Sequence, residues 1–209
     1  SSNMDIKKLG NSVLFFTINR LIEISSILIS VLGVLLLVAL ISYSPNDPNF
    51  VFPENTEISN LLGFRGSYTS DLFFQSIGFI SYLIPLTYIL TGFNIFKSKK
   101  ILLVIENSFF IVLYSLVGSI FFNFYHNDTF SLYINGSGGF VGNYFNKIFF
   151  NEFLNSYQNI FYYLFFVLIL SFFLLSINFK IKKFLSILKK IFQIITNKKD
   201  KNYTNKNEI

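Results

Sequence analysis

The 209-residue sequence has no cysteine and one histidine, His126. Without cysteine there can be no disulfide, zinc–thiolate site or thiol nucleophile. His126 has no second histidine nearby with which to build a metal site, and no defined partner for a nucleophilic triad. Charge is also scarce. Asp, Glu, Lys and Arg make up 13% of the chain, where a soluble domain holds about a quarter. None of the eleven glycines is followed by lysine, so the phosphate-cradling G-x-x-x-x-G-K-[ST] loop is absent. No catalytic, cofactor-binding or metal-binding residue is expected.

What the chain has instead is apolar surface. It is 52% hydrophobic, contains 29 phenylalanines and has a mean hydropathy of +0.54. A soluble core of this size cannot hide that many large apolar side chains. Crossing about 30 Å of hydrocarbon takes roughly 20 apolar residues. Four runs qualify, at about 21–41, 72–96, 101–125 and 160–177. Pro85 lies inside the second, where a kink is expected. The fold class is therefore all-α: a polytopic membrane protein with four transmembrane helices.

Basic residues near span ends set orientation. Lys7, Lys8 and Arg20 precede the first span, Lys97, Lys99 and Lys100 join the second to the third, and nine lysines follow the fourth. Only Arg65 and Lys147 fall on the opposite side, with Asp47, Glu54, Glu57, Asp71, Asp128 and Glu152. Both termini are expected in the cytoplasm and both longer loops outside. The +6 charge reads as a topology signal before it reads as nucleic-acid binding.

The first span ends in "SYSPNDP", Ser42 to Pro48. Pro45 and Pro48 lack donors and push the residues before them toward extended geometry, which makes a stiff exit. Further on, Gly63 and Gly66 suit tight turns or close approach, and Ser70 or Asp71 is placed to cap the second helix, with Gln75 returning a contact to Asp71. Gly78, Ser81 and Gly92 offer small surfaces to a neighbouring helix. The order and spacing of Ser42, Tyr43, Ser44, Pro45, Asp47 and Pro48, then Asn60, Gly63, Gly66, Asp71, Gly78, Tyr82 and Pro85, then Gly138, Gly139 and Gly142, resembles the membrane domain of the FtsK/SpoIIIE family of bacterial DNA translocases. Serines at 67, 70 and 81 replace the alanines usual there, and Ile77 stands where phenylalanine is more common. The resemblance covers roughly residues 20–178. It implies a septum-localising anchor in the bacterial inner membrane that forms a homo-oligomer, a hexamer in the family, and contacts other division proteins. DNA, ATP and magnesium would concern only the family's motor domain, which lies outside these residues. The other reading is a stand-alone four-helix membrane protein, a small transporter or scaffold.

Residues 1–20 are expected to form a cytoplasmic segment, and 179–196 a basic amphipathic helix. An apolar stripe of Ile181, Phe184, Leu185, Leu188, Ile191, Phe192 and Ile195 opposes Lys182, Lys183, Lys189 and Lys190, which would contact the inner membrane surface. The polar stretch 197–209 reads as the start of a linker. Phe140, Tyr144, Ile148, Phe149, Phe153 and Tyr157 recur at helical spacing, as in an outer interfacial helix. Glu23 and Glu106 fall within the spans, which raises an ion pathway. Both lie near the cytoplasmic ends, where reaching the headgroups suffices.

Overall fold

The computed structural model describes residues 2–48, 57–129, 134–150 and 155–204. The described residues are almost entirely helical. Helix α1 spans Ser2–Ile41, α2 Gly63–Ile77, α3 Leu83–Ser98, α4 Leu103–Tyr125, α5 Gly139–Phe145, α6 Gln158–Ser176 and α7 Ile181–Thr204. A 3₁₀ turn, Gly78–Tyr82, joins α2 to α3, and a π-helical stretch, Asn146–Phe150, follows α5. Among the described residues four segments are long and apolar enough to cross a membrane: Lys8–Ile41, Gly63–Ser98, Leu103–Tyr125 and Gln158–Ser176. The chain divides into two compact units, residues 1–178 and 179–209.

In the first unit α1 packs mainly on α3, and α4 on α6 and α5. One core is built on Ile80, Ile84, Ile111 and Tyr114, and a second on Ile120, Phe121 and Phe165. Outward-facing positions remain apolar, as in Leu32, Phe93 and Phe166, each more than half exposed. That inversion is what a bilayer rather than water selects. The helices approach closely where glycine permits it. A Cβ on Gly92 would lie 2.0 Å from Ser30 Oγ, and one on Gly118 would lie 2.4 Å from Ile80.

Three expectations are corrected. The second hydrophobic run is not one helix kinked at Pro85. It breaks at Gly78, whose φ of +72° ends α2. Pro85 is the third residue of α3, in the first turn, where a missing N–H is tolerated. Helix α3 with its 3₁₀ turn measures about 34 Å, enough to cross the hydrocarbon without α2. Asp71 and Ser70 cap nothing, because α2 already begins at Gly63 and has no side-chain cap. The polar stretch after residue 196 does not leave the helix, since α7 runs on to Thr204. Helix α1 is continuous from Ser2 through the expected N-terminal segment into the first span. The aromatic stretch expected as an outer helix is helical from Gly139 to Phe150, α-helical as far as Phe145 and π-helical beyond it, and Phe153 lies outside the described residues.

Helix α7 makes up most of the second unit. Its lysines 182, 183, 189 and 190 and its apolar positions Phe184, Leu185 and Ile191 are all exposed. The expected apolar stripe and the four lysines thus lie on one helix.

Candidate functional site

Most of the glycine, proline and asparagine motif residues meet at one end of the first unit. Helix α1 stops where the Ser42 hydroxyl bonds back to Val38 O at 2.6 Å. The chain then turns, and Asp47 pins it. Its two carboxylate oxygens accept the backbone N–H groups of Ser59 and Asn60, each at 2.8 Å. The Asn60 side chain donates to Ala39 O at 2.9 Å and to Ser42 O at 3.3 Å, and accepts from Leu62 N at 3.1 Å. Asn60 thereby satisfies carbonyls that the end of α1 leaves without helical partners. Ser67 donates to Pro48 O at 2.7 Å, which ties the proline exit to α2. Ser44 O accepts from Asp47 N inside the turn. Pro45 and Pro48 thus belong to a loop clamped at both ends.

Glycine makes the clamp possible. A Cβ on Gly66 would lie 2.0 Å from Asn60 Oδ1. Gly63, by contrast, faces open space and is required only for its φ of +63°.

The same corner holds an aromatic column. Tyr43 donates to Asp71 Oδ1 at 3.2 Å and meets Phe74 edge-on, with ring centroids 5.0 Å apart. Phe74 in turn contacts Tyr82 at 5.2 Å, and the Tyr82 hydroxyl reaches Leu40 O. Burial first, and then the Asp71 and Asp47 carboxylates, hold the Tyr43 phenol well above its ordinary pKa.

The third glycine block supports the break at Gly78. Backbone groups freed by that break find partners elsewhere, as buried polar groups must. Phe79 N donates to Ser137 O at 2.9 Å, Ser119 Oγ donates to Ile77 O at 3.0 Å, and Ser81 Oγ donates to Phe73 O at 3.1 Å. Gly139 packs so tightly on this turn that a Cβ would lie 2.6 Å from Ile77 N. Gly138 and Gly142 press on α4, where a Cβ would lie 2.1 and 2.2 Å from Ser119 O. Asn123 continues the seam, accepting from Asn146 at 2.9 Å. Pro85 is the motif residue left out of this corner. It is buried deeper, with its carbonyl 3.0 Å from where a Gly33 Cβ would stand.

A second polar cluster escaped the sequence reading. Thr87 bonds both Tyr114 and Ser176, each at 3.0 Å, joining α3, α4 and α6. One turn on, Asn107 donates to Thr91 at 2.8 Å and exchanges bonds with Asn178 at 3.0 and 3.1 Å. Asn94 donates to Ile177 O at 3.0 Å and to Asn178 at 3.2 Å. Thr87, Thr91 and Asn94 share a helix face, and so do Asn107 and Tyr114; that periodicity is the signal that would have found them. Asn178 has a φ of +55° and ends the first unit.

Glu23 is held by both Arg20 and Lys99. It is a paired group at the α1–α3 end, and Glu106 is exposed in the first turn of α4. Neither has the converging polar partners of a pathway. Among the described residues no three His, Asp or Glu side chains gather as a metal site would require.

Four membrane-crossing segments around helix-bonding polar clusters, with one end locked by clamped loops, define a polytopic helical membrane domain. The family model described as the 4TM region of DNA translocase FtsK/SpoIIIE matches residues 19–189, and the chain belongs to that family. Proteins named DNA translocase FtsK are similar to it. That of Rickettsia prowazekii is 29% identical over 109 residues, 51% of this chain and 14% of the relative. That of Azospirillum brasilense is 33% identical over 41% of this chain and 14% of the relative. In Shewanella oneidensis the figures are 32%, 52% and 12%. The matches therefore span about a seventh of those relatives and fall in the membrane region, which is not the ATPase motor. No solved structure matches the chain.

Proposed function

We propose that this chain is the membrane-anchoring, septum-localising and assembly module of a bacterial DNA translocase that acts in cell division and chromosome segregation. Both termini face the cytoplasm, and the clamped corner faces outward from the inner membrane. The chain itself carries out no reaction. It holds a motor, supplied outside these residues, at the closing septum and helps it assemble as a homo-oligomer, a hexamer by family resemblance. The motor, with ATP and magnesium, handles the DNA. The observation that carries this reading is the convergence of the three motif blocks on one end of the bundle. Asp47, Asn60 and Ser137 hold the described ends of the loops against the helices, and a segment already held binds a partner with less loss of loop entropy.

The test is a fluorescent fusion of residues 1–209 in a dividing bacterium, scored together with division in cells depleted of their own translocase. A midcell band with partial rescue is expected. Even membrane fluorescence without rescue would overturn the septal role.

A further inference from the structure

Between α1 and α3 runs an open groove of about 330 Å³. Its walls are Ile27 and Val31 on one side and Phe93 and Phe96 on the other, all close to half exposed or more. Ser26 and Ser30 lie at its floor, but their hydroxyls are already used. Ser26 donates to Glu23 O at 2.6 Å and Ser30 to Ile89 O at 3.1 Å. The groove therefore offers hydrocarbon and no hydrogen bonds. It lies on two membrane-crossing helices, so whatever fills it is apolar.

One end of the groove is cationic. Arg20 falls seven residues before Ile27 and eleven before Val31, on the same face of α1. Lys97 follows Phe93 by four residues, on the same face of α3. Lys99 stands over the Phe96 ring, its Nζ 4.5 Å from the centroid. Lys100 is exposed just beyond. Glu23, bound by Arg20 and Lys99, neutralises only part of this charge. Glu106 belongs to α4, which lines neither wall.

An apolar slot at acyl-chain depth that opens onto unbalanced lysine and arginine at headgroup depth matches one class of molecule in both halves. We propose that the α1–α3 groove is a binding site for an anionic phospholipid. One acyl chain lies along Ile27, Val31, Phe93 and Phe96, and the phosphate is held by Lys97 and by the Arg20 N–H groups other than the Nη1 that bonds Glu23. Lys99, committed to Glu23, fixes the spacing of the two helices at the mouth. None of the groove's lining residues belongs to α7, and the proposal does not rest on the septal reading.

The full chain, purified in detergent, would be given phosphatidylglycerol or phosphatidylcholine with identical acyl chains, and retained lipid counted by native mass spectrometry. Wild type is expected to keep one phosphatidylglycerol in preference to phosphatidylcholine. The double variant Arg20→Gln/Lys97→Gln should lose roughly tenfold of that preference. Both side chains are exposed, so folding is unaffected, which circular dichroism verifies. Ile27→Trp, which fills the slot, should reduce retention of both lipids. Replacing Lys182, Lys183, Lys189 and Lys190 with Gln should leave the preference intact. The proposal is overturned if the double variant keeps phosphatidylglycerol as well as wild type does. It is equally overturned if the α7 variant alone abolishes the preference. It also fails if Ile27→Trp changes the oligomeric state without changing lipid retention, since the groove would then seat a second copy of the chain.

Discussion

At the scale of single residues, three glycines that look alike in the sequence have different physical duties. Gly63 needs only its backbone, with φ +63° and nothing near a would-be Cβ. Gly142 needs only space, because its Cβ would lie 2.2 Å from the Ser119 carbonyl oxygen. Gly78 needs both, with φ +72° and a Cβ position 1.9 Å from Ser137 O. Alanine at 63 should therefore cost about 1 kcal/mol for the left-handed conformation. Alanine at 142 should cost about 3 kcal/mol, because α4 and α5 must move apart. The change at 78 should be the most damaging of the three. Thermal unfolding in detergent would rank them, and equal shifts for Gly63→Ala and Gly142→Ala would contradict the packing described. The spacing of these glycines was legible in the sequence, as was a need for turns or close approach. Which need applied to which glycine was not. The atoms that decide it, on Ser119 and Ser137, are remote in sequence.

At the scale of elements, the instructive case is the second apolar run. Proline announces a break because it lacks a donor, so Pro85 drew attention. Yet proline in the first turn of a helix disturbs nothing, and Pro85 sits there in α3. The break belongs to Gly78, and its freed groups are bonded by Ser119, Ser137 and Ser81. Local sequence cannot show such partners. Asp71 misled in the same way. An Asp before an apolar run reads as a cap, but α2 starts eight residues earlier, and Asp71 instead serves Tyr43 from mid-helix. The two accounts of the bend separate cleanly. Because the chain has no native cysteine, spin labels can be placed at exposed positions 72 and 93 alone. Pro85→Ala should leave the distance between them unchanged, while Gly78→Leu should shift or broaden it by electron paramagnetic resonance. A change with Pro85→Ala and none with Gly78→Leu would return the bend to the proline.

At the scale of the whole molecule, the four spans were the most legible feature, since an apolar run of membrane length has few other uses. The bonds between helices were the least legible. Thr87, Asn107 and Asn178 read singly as tolerated polar residues, and only the fold shows that they join α3, α4 and α6. Orientation rests on a different kind of argument. Arg20 and Glu23 of α1 meet Lys99 at the end of α3, and the clamped corner holds few basic residues. A cell that retains Lys and Arg on the cytoplasmic side would place this charged end inside and the corner outside. Single cysteines test this directly. A membrane-impermeant maleimide should label Asp128→Cys in intact spheroplasts and reach Ser98→Cys only after lysis, both positions being exposed. The reverse pattern would invert the molecule. It would move the motif corner to the cytoplasm and make it unable to meet any partner outside. The hydrogen bonds of the corner would then serve only to hold α1 and α2 together. The expected pattern instead leaves the corner accessible from outside the inner membrane, as the proposed partner surface requires.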